Sequence, residues 1–247
     1  MKLTIVGCGD AFGSGGRLQT CYHVEAAGTR FLIDCGATAL IGFNRLDLDP
    51  NSIETIFISH LHGDHYAGLV WWLMHAQHVA KRRVPLTIIG PEGVAARYEA
   101  ATEALFPGSS KVRRAYDLRF RELVAAAPLD AGPVRVTPFE VVHPSGAPSY
   151  ALRFETEGKV LAFSGDTEWT DNLVTAGRAA DLFMIECYQY EATTRYHLRW
   201  PTIADNIDRI AARRIMLTHM GSAMLARQKD ICDPRIVFAE DGLTIDI

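Results

Sequence analysis

Long apolar runs are missing from the sequence. No stretch of 18 consecutive apolar residues occurs in the 247 residues, so the sequence contains no candidate for a membrane-spanning helix. The opening MKLTIVGCGD passes directly into a glycine-rich turn, without the hydrophobic region and cleavage site of a secretory leader. These absences predict a cytoplasmic protein with no membrane partner.

Cysteines are few, and the chain has no excess of positive charge. The five cysteines are odd in number and never spaced as CxxC, which argues against a disulfide framework and against a thiolate zinc site. The net charge of −4 argues against a protein that coats nucleic acid, so we expect no stable nucleic-acid partner. Linkers and low-complexity segments are absent as well, and residues 1–247 are predicted to form a single domain.

The sequence does contain short apolar runs that alternate between strand and helix patterns. Both halves of the chain run strands, then a helix, then a strand, which predicts an α+β sandwich of two sheets covered by helices. The predicted strands span 3–9, 20–26, 29–36, 52–60, 84–90, 118–124, 134–142, 149–156, 159–164, 181–187 and 214–219, with two more near the C-terminus. The predicted helices span 66–80, 91–106, 168–176 and 202–213, with a short one after 219.

One segment, SHLHGDHYAG at 59–68, is dense in metal-ligand residue types. His60 and His62 are two residues apart on an extended segment, so their side chains point the same way and can hold one ion. Gly63 permits a sharp turn, after which Asp64 and His65 begin a helix and can face a second ion. Imidazole and carboxylate ligands suit zinc, manganese or iron. The alternative, a polar loop without metal, is disfavoured by residues further along the chain.

Three later residues have a common placement. His143, Asp166 and His219 each follow a hydrophobic strand, at the point where the chain turns. Taken singly, either histidine would more often be a hydrogen-bonded core residue. Several strands that each bring a ligand-type residue to the same edge of a sheet indicate one functional site.

The motifs HLHGDH, HPSGAPSY, SGDT and LTH, in this order, resemble the motif series of the metallo-β-lactamase fold. The closest resemblance is to the branch that contains tRNase Z and related phosphodiesterases, and it extends from the opening GCGDAFGSGGRLQT turn to His219. The resemblance implies a four-layer αββα sandwich.

The resemblance also implies two divalent cations, most often Zn²⁺, with Mn²⁺ or Fe²⁺ compatible with the same ligands. A hydroxide that bridges the two cations would be the nucleophile, and Asp64 would orient it or take its proton. The β-lactamases of this fold usually have cysteine at the position of Asp166, which disfavours an antibiotic-destroying role. The implied ligands are His60, His62 and His143 for the first ion, Asp64, His65 and His219 for the second, and Asp166 as the bridge.

A further histidine resembles a catalytic residue of the branch. His197 lies in ECYQYEATTRYHLRWPT, where tRNase Z-like enzymes have a histidine that helps the leaving oxygen depart. Glu186 or Glu191 would orient it. The match is looser here, because the His-Ser-Thr run of the family appears as HLRWPT. Asp34 has two open interpretations, either a hydrogen-bond partner of a ligand histidine or a turn-capping residue.

One piece of the family pattern is missing. In bacterial tRNase Z a flexible tRNA-binding arm is inserted between the positions of His143 and Asp166, which are only 23 residues apart here. We therefore expect a phosphodiesterase for a small or medium substrate, such as a cyclic nucleotide, an oligonucleotide end or a lipid-derived headgroup. The alternatives are a hydrolase of carboxylic, thio- or sulfate esters or lactones, a tRNA 3′-processing endonuclease, and a non-catalytic metal-binding scaffold. Because members of the branch often dimerise, a homodimer is a further expectation.

Overall fold

Two seven-stranded sheets organise the chain. The computed structural model describes residues 1–247. The first sheet contains β1 (Lys2–Gly7), β2 (Cys21–Ala26), β3 (Thr29–Ile33), β4 (Thr55–Phe57), β5 (Leu86–Gly90), β6 (Leu118–Glu122) and the last strand, β14 (Thr244–Asp246). The second contains β7 (Leu129–Ala131), β8 (Val134–Val141), β9 (Ser149–Thr156), β10 (Lys159–Phe163), β11 (Leu182–Glu186), β12 (Ile215–Thr218) and β13 (Ile236–Phe238).

The two sheets have the same internal arrangement. Their strand orders are β14-β1-β2-β3-β4-β5-β6 and β13-β12-β11-β10-β9-β8-β7. In each sheet three antiparallel pairings are followed by three parallel ones, from β3 to β6 in the first and from β10 to β13 in the second. Parallel strands bring their carboxyl ends to one edge of the sheet, which is where α/β sheets place their sites.

Helices cover the outer faces, and the four layers are held by three apolar clusters. Buried residues of both sheets, including Tyr22, Phe57 and Phe154, form the core between them. Phe43 and Trp72 belong to the cluster under the helices of the first sheet, and Ile203 to that of the second. The helices are α1 (Ala39–Arg45), α2 (Gly63–Tyr66), α3 (Gly68–His78), α4 (Val94–Leu105), α5 (Asn172–Gly177), α6 (Trp200–Ile210) and α7 (Ser222–Leu225). This confirms the αββα sandwich. None of these helices has the length and apolarity to span a membrane.

The structure departs from the predicted elements in a few places. The helix predicted over 66–80 is observed mainly as α3, which ends at His78 and follows α2 with only Ala67 between them; Ala67 itself has helical backbone angles. The helix predicted over 168–176 begins only at Asn172. Helix α1 and strand β7 were not predicted, since α1 has only seven residues with no side-chain cap and β7 is a three-residue edge strand. Short elements of this kind depend on tertiary packing more than on local sequence.

Candidate metal centre

Four strand ends carry the predicted ligands to a single edge. His60 lies three residues after β4, and His143, Asp166 and His219 follow β8, β10 and β12. Since β8 and β10 both pair antiparallel with β9, they point the same way and deliver His143 and Asp166 to one edge. Of the remaining three, His62 immediately precedes helix α2, and Asp64 and His65 lie in its first turn.

The first group consists of three histidines. His60, His62 and His143 have ligand nitrogens that all lie within 4.8 Å of one another. Nδ1 of His62 lies 2.9 Å from Nε2 of His143. His60 is fully buried, and His143 is nearly so. Three imidazole nitrogens converging in this way can hold a divalent ion.

The second group combines two histidines with two carboxylates. Asp64, His65, Asp166 and His219 offer ligand atoms within 4.8 Å of one another, and all four residues are buried. Nε2 of His65 lies 3.3 Å from Asp64 Oδ2. The sequence analysis placed the same residues on a second ion, and the structure brings them together.

Asp166 lies between the two groups. Its Oδ2 atom is 3.9 Å from Nε2 of His60 and 3.9 Å from Nε2 of His143, both in the first group. Its carboxylate oxygens lie 3.3 Å from Nε2 of His65 and 3.3 Å from Nε2 of His219, in the second group. A carboxylate in this position has the geometry to bridge two ions.

Several buried polar atoms in this cluster have no hydrogen-bond partner in the protein. They are His60 Nε2, His65 Nε2, Asp166 Oδ1 and His219 Nδ1. Buried polar atoms normally have partners, because an unpartnered one destabilises the fold by about 1–3 kcal/mol. Three of the four orphan atoms point into the cluster as ligand atoms, so the donor set fits bound cations.

Asp34 contacts His65 of the second group directly and His60 of the first group through Ser59. Its Oδ2 atom lies 2.6 Å from Nδ1 of His65 and accepts a 2.8 Å hydrogen bond from Ser59 Oγ. The same Ser59 oxygen lies 3.0 Å from Nδ1 of His60. Both rings can therefore donate from Nδ1, which leaves each Nε2 free to bind a metal. Such outer partners fix the orientation and tautomer of ligand histidines, so of the two open interpretations the structure supports the hydrogen-bonding one.

Close backbone packing fastens α2 to the loop that follows β3. Cys35 donates its N–H to the carbonyl of His65 at 2.6 Å, and Gly68 donates to the carbonyl of Cys35 at 2.9 Å. A Cβ atom at Gly68 would lie 2.1 Å from the carbonyl oxygen of Gly36, so only glycine permits this approach. The contact brings His65 to Asp34.

Two residues of the site have left-handed backbones. Asp34 has φ of 60° and His219 has φ of 53°, conformations that non-glycine residues seldom adopt. Backbone strain of this kind persists at functional sites where contacts with the surrounding structure hold the residue in place. For His219 the constraint includes its N–H, which donates to the carbonyl of Cys8 at 3.0 Å.

Burial and charge act in opposite directions on the ligand groups. Burial lowers the pKa of His143 to about 4, despite the attraction of Asp166. Burial opposes protonation of His65 too, but the carboxylates of Asp166, Asp64 and Asp34 raise its pKa well above the ordinary value. Burial favours the neutral form of Asp166, but the histidines around it hold its pKa well below its usual range. The ligands thus include a neutral imidazole and an ionised carboxylate near neutral pH.

His197 lies beside the first group on a different element. Its ring centroid is 5.0 Å from that of His143, and its side chain remains 21% exposed. Its Nδ1 atom lies 3.1 Å from Oε2 of Glu186, a fully buried carboxylate whose other oxygen accepts the N–H of Thr167. Glu191, the other candidate partner, is exposed. The structure therefore selects Glu186.

The Glu186–His197 pair holds a proton. Burial raises the pKa of Glu186, while its hydrogen bond from His197 favours the ionised carboxylate. Burial opposes the charge on His197, but the hydrogen bond and negative charge of Glu186 prevail and raise its pKa to about 9. Both shifts keep a proton on the pair through the neutral range.

A cleft of about 220 Å³ opens onto the two groups. Beside the predicted ligands it is lined by residues that the sequence analysis did not assign to the site: Asp10, Ala11, Phe12, Tyr188 and Thr194. Phe12 is 86% exposed, whereas the Tyr188 ring packs 5.0 Å from that of His197. Phe12 lies in the opening glycine-rich turn, and nothing in the sequence of that turn separates a cleft-lining aromatic residue from an ordinary surface one.

The fold and the site define a metallo-hydrolase of the metallo-β-lactamase fold, in the tRNase Z-like branch. Residues 1–243 match the family model of the Anti-Pycsar protein Apyc1, and the chain belongs to that family. Ribonuclease BN of Cronobacter sakazakii is 27% identical over 310 aligned positions that cover all of both chains.

Solved structures show the same fold. Human tRNase Z, short form, superposes with a TM-score of 0.80 at 23% identity and covers 100% of this chain and 99% of its own. The metallo-β-lactamase fold protein YhfI from Bacillus subtilis superposes with a TM-score of 0.78 at 21% identity over 99% of each chain.

Proposed function

We propose that the protein is a dinuclear metal-dependent phosphodiesterase that acts on a small or medium phosphodiester. The observation that carries this proposal is the placement of His197, an imidazole held by Glu186 at the mouth of the predicted metal site. When bound, the two cations would activate water as a nucleophile and stabilise negative charge on the phosphoryl oxygens. The protein side chains would position the diester and manage its protons.

The proposed role of His197 is that of a general acid. A phosphodiester releases an alkoxide or phenoxide, which leaves faster when it receives a proton. Nδ1 of His197 donates to Glu186, so Nε2 is free to carry the proton toward the cleft. His197 also lies within ligand distance of His143 and Asp166, and its hydrogen bond to Glu186 leaves Nε2 for either a proton or a cation.

Asp64 is proposed to have two roles. It would bind the second ion, and as a cleft-lining carboxylate it would orient the attacking water or accept its proton. Its pKa is lowered by the nearby histidines His65 and His219, in spite of burial, so it is ionised and able to accept.

The size of the site favours a small substrate. The cleft has a volume of about 220 Å³, and the segment between His143 and Asp166 is occupied by β9, a turn and β10. There is no inserted arm at this position that could grip a folded RNA. This supports a small phosphodiester over a tRNA precursor.

The test compares two diesters that differ only in the acidity of the leaving group. Protein loaded with zinc or manganese is assayed on methyl p-nitrophenyl phosphate and methyl phenyl phosphate, beside p-nitrophenyl acetate and p-nitrophenyl sulfate. Phenol, which has a pKa near 10 like the tyrosine side chain, needs a proton to leave far more than nitrophenol does. We expect His197→Ala to lower kcat on the phenyl diester by about 100-fold or more, and by much less on the nitrophenyl diester.

Matched variants separate the roles. Glu186→Gln should resemble His197→Ala, whereas Glu191→Gln, an exposed glutamate of the same loop, should leave both rates unchanged. Asp166→Ala should abolish hydrolysis of both diesters. Hydrolysis of the acetate or sulfate alone, indifferent to His197, would instead support an ester or lactone hydrolase. Two bound cations with no hydrolysis of any ester would support a metal-binding scaffold.

A further inference from the structure

Phe12 is the most exposed large hydrophobic side chain of the protein, and it lies on the cleft. Its exposed fraction is 86%, while the other exposed large hydrophobics range from 37% to 68%. An isolated apolar residue on a surface needs no special explanation. Phe12, however, is an aromatic ring at the mouth of the cleft that contains the predicted metal ligands.

The backbone that presents Phe12 is fixed by a buried carboxylate. Asp10 is 1% exposed, and its Oδ1 atom accepts the N–H groups of Phe12 at 3.2 Å and Ser14 at 2.8 Å. Its Oδ2 atom accepts the Ser14 hydroxyl at 2.7 Å. The side chain of Gln19 donates to the carbonyl of Ala11 at 3.2 Å. The exposed ring is therefore carried on an ordered turn.

The turn also has a defined place relative to the two ligand groups. Ser14 lies against Ser222 of α7, and a Cβ atom at Gly15 would meet Leu225 of the same helix. Helix α7 follows His219, so the turn is attached to the second group. His197, the proposed acid, lies closest to His143 of the first group. The leaving group and the remainder of a bound diester would then contact different elements.

We propose that Phe12 is a specificity-determining residue that stacks on a planar aromatic group of the substrate, on the side of the phosphodiester that is not released. This inference rests on the proposed function and extends it to the substrate class, a phosphodiester whose retained organic group carries a ring. Aromatic pairs favour offset-stacked or edge-to-face contacts and gain affinity beyond the area they bury. A ring presented on an ordered turn loses little conformational freedom when it binds.

The experiment uses two diesters with the same leaving group and different retained groups. Bis(p-nitrophenyl) phosphate retains a ring, and ethyl p-nitrophenyl phosphate retains none. We expect Phe12→Ala to lower kcat/KM on the bis-aryl diester by about tenfold, mainly through KM, and to change the ethyl diester by less than about twofold. Phe12→Trp should retain the wild-type preference, and Val79→Ala, an exposed apolar residue at the end of α3, should change neither substrate.

A second readout is independent of turnover. Phenylphosphonate should bind the metal-loaded wild type more tightly than methylphosphonate by calorimetry, and Phe12→Ala should remove that difference. Equal losses on the two diesters, or no loss on either, would overturn the assignment of Phe12 while leaving the phosphodiesterase proposal intact. If the wild type hydrolyses neither diester, the proposed function itself fails. Because Phe12 is exposed, an unchanged thermal transition should confirm that each variant is folded.

Discussion

Asp34 and His65 form a buried pair in which Oδ2 of the carboxylate lies 2.6 Å from Nδ1 of the imidazole, and neither side chain is exposed to solvent. The same oxygen accepts from Ser59, whose hydroxyl contacts His60 in the other ligand group. One carboxylate thus orients a histidine in each group. It does so from a side of the rings that faces away from the cleft.

Replacing this carboxylate should weaken both metal sites. In Asp34→Asn one of the two acceptor oxygens becomes an amide that donates, so the side chain can no longer accept both the Ser59 N–H at Oδ1 and the His65 and Ser59 hydroxyl bonds at Oδ2. We expect metal affinity to fall by about 10- to 100-fold, which competition with a chromogenic chelator would measure.

The loss of metal affinity should depend on which hydrogen-bond partner is removed. Ser59→Ala removes the hydroxyl that contacts His60 and Asp34 but leaves the contact between Asp34 and His65, so it should have a smaller effect than Asp34→Asn. Two tightly bound equivalents of metal in Asp34→Asn would show that the ring orientations are maintained by other contacts.

Removal of metal should destabilise the fold as well as stop catalysis. The cluster contains buried atoms with no protein partner, among them Nε2 of His60 and Oδ1 of Asp166, and bound cations would satisfy them. A ligand present at 100 times its Kd stabilises the native state by about 2.7 kcal/mol, and for a chain of this size each kcal/mol shifts Tm by about 2–4 °C. Dialysis against EDTA should therefore lower Tm by about 5–10 °C.

Readdition of the ion provides the control for that measurement. Zn²⁺ or Mn²⁺ should restore the transition in the wild type but not in Asp166→Ala, which lacks the carboxylate proposed to bridge the ions. A Tm that does not respond to EDTA, in protein from which elemental analysis shows the metal to be gone, would contradict the proposed centre.

The rings of His143 and His197 should titrate far apart in the metal-free protein, although their centroids are only 5.0 Å apart. Burial lowers the pKa of His143 to about 4, whereas the bond and charge of Glu186 overcome burial and raise the pKa of His197 to about 9. Between pH 5 and 8 one ring should be neutral and the other charged. Nitrogen-detected NMR of the metal-free protein would resolve both titrations.

The variant Glu186→Gln tests the cause of the difference. With the carboxylate gone and burial unchanged, the pKa of His197 should fall to or below the ordinary value near 6.5. His143 should be little affected, because its shift comes mainly from burial. A pKa of His197 that stays near 9 in the variant would point to a different source of stabilisation.

The predicted ligands could be identified from the sequence because each lies in a recognisable local pattern. His60 to His65 lie within six positions, and His143, Asp166 and His219 each follow an apolar strand whose direction sets where its last residue points. Hydrogen-bond partners that are distant along the chain could not be identified from the sequence. Asp34 lies 31 residues from His65 and 25 from Ser59, so only the folded chain distinguishes a hydrogen-bond partner from a turn cap.

In two further cases, burial in the folded structure distinguishes residues that the sequence alone does not. Glu186 and Glu191 were equivalent partners for His197 by sequence, and they differ in that Glu186 is fully buried while Glu191 is exposed. The run Lys81-Arg82-Arg83 is typical of a solvated basic face, yet Arg82 is 1% exposed between two exposed neighbours. A basic run gives no sign of this, because the groups that hold Arg82 come from other segments.

Arg82 should therefore be a strong determinant of stability. Its guanidinium donates to backbone carbonyls in the segments that precede β4 and β5, including those of Ile53 at 2.7 Å and Pro85 at 2.6 Å. Three more carbonyls, of Pro50, Asn51 and Val84, accept from the same side chain. Arg82→Ala removes the side-chain donor from these five carbonyls, of which that of Ile53 is in a buried bond, and we expect the free energy of unfolding in urea to fall by about 3–5 kcal/mol.

Two further variants identify the guanidinium as the cause. Arg82→Lys keeps the charge but has three donors on one nitrogen, which cannot reach five carbonyls arranged around a planar group, so most of the loss should remain. Arg83→Ala, an exposed arginine at the next position, should change stability by no more than about 0.5 kcal/mol. Equal losses for Arg82→Ala and Arg83→Ala would mean that charge on this segment, rather than the buried fork of donors, stabilises the fold.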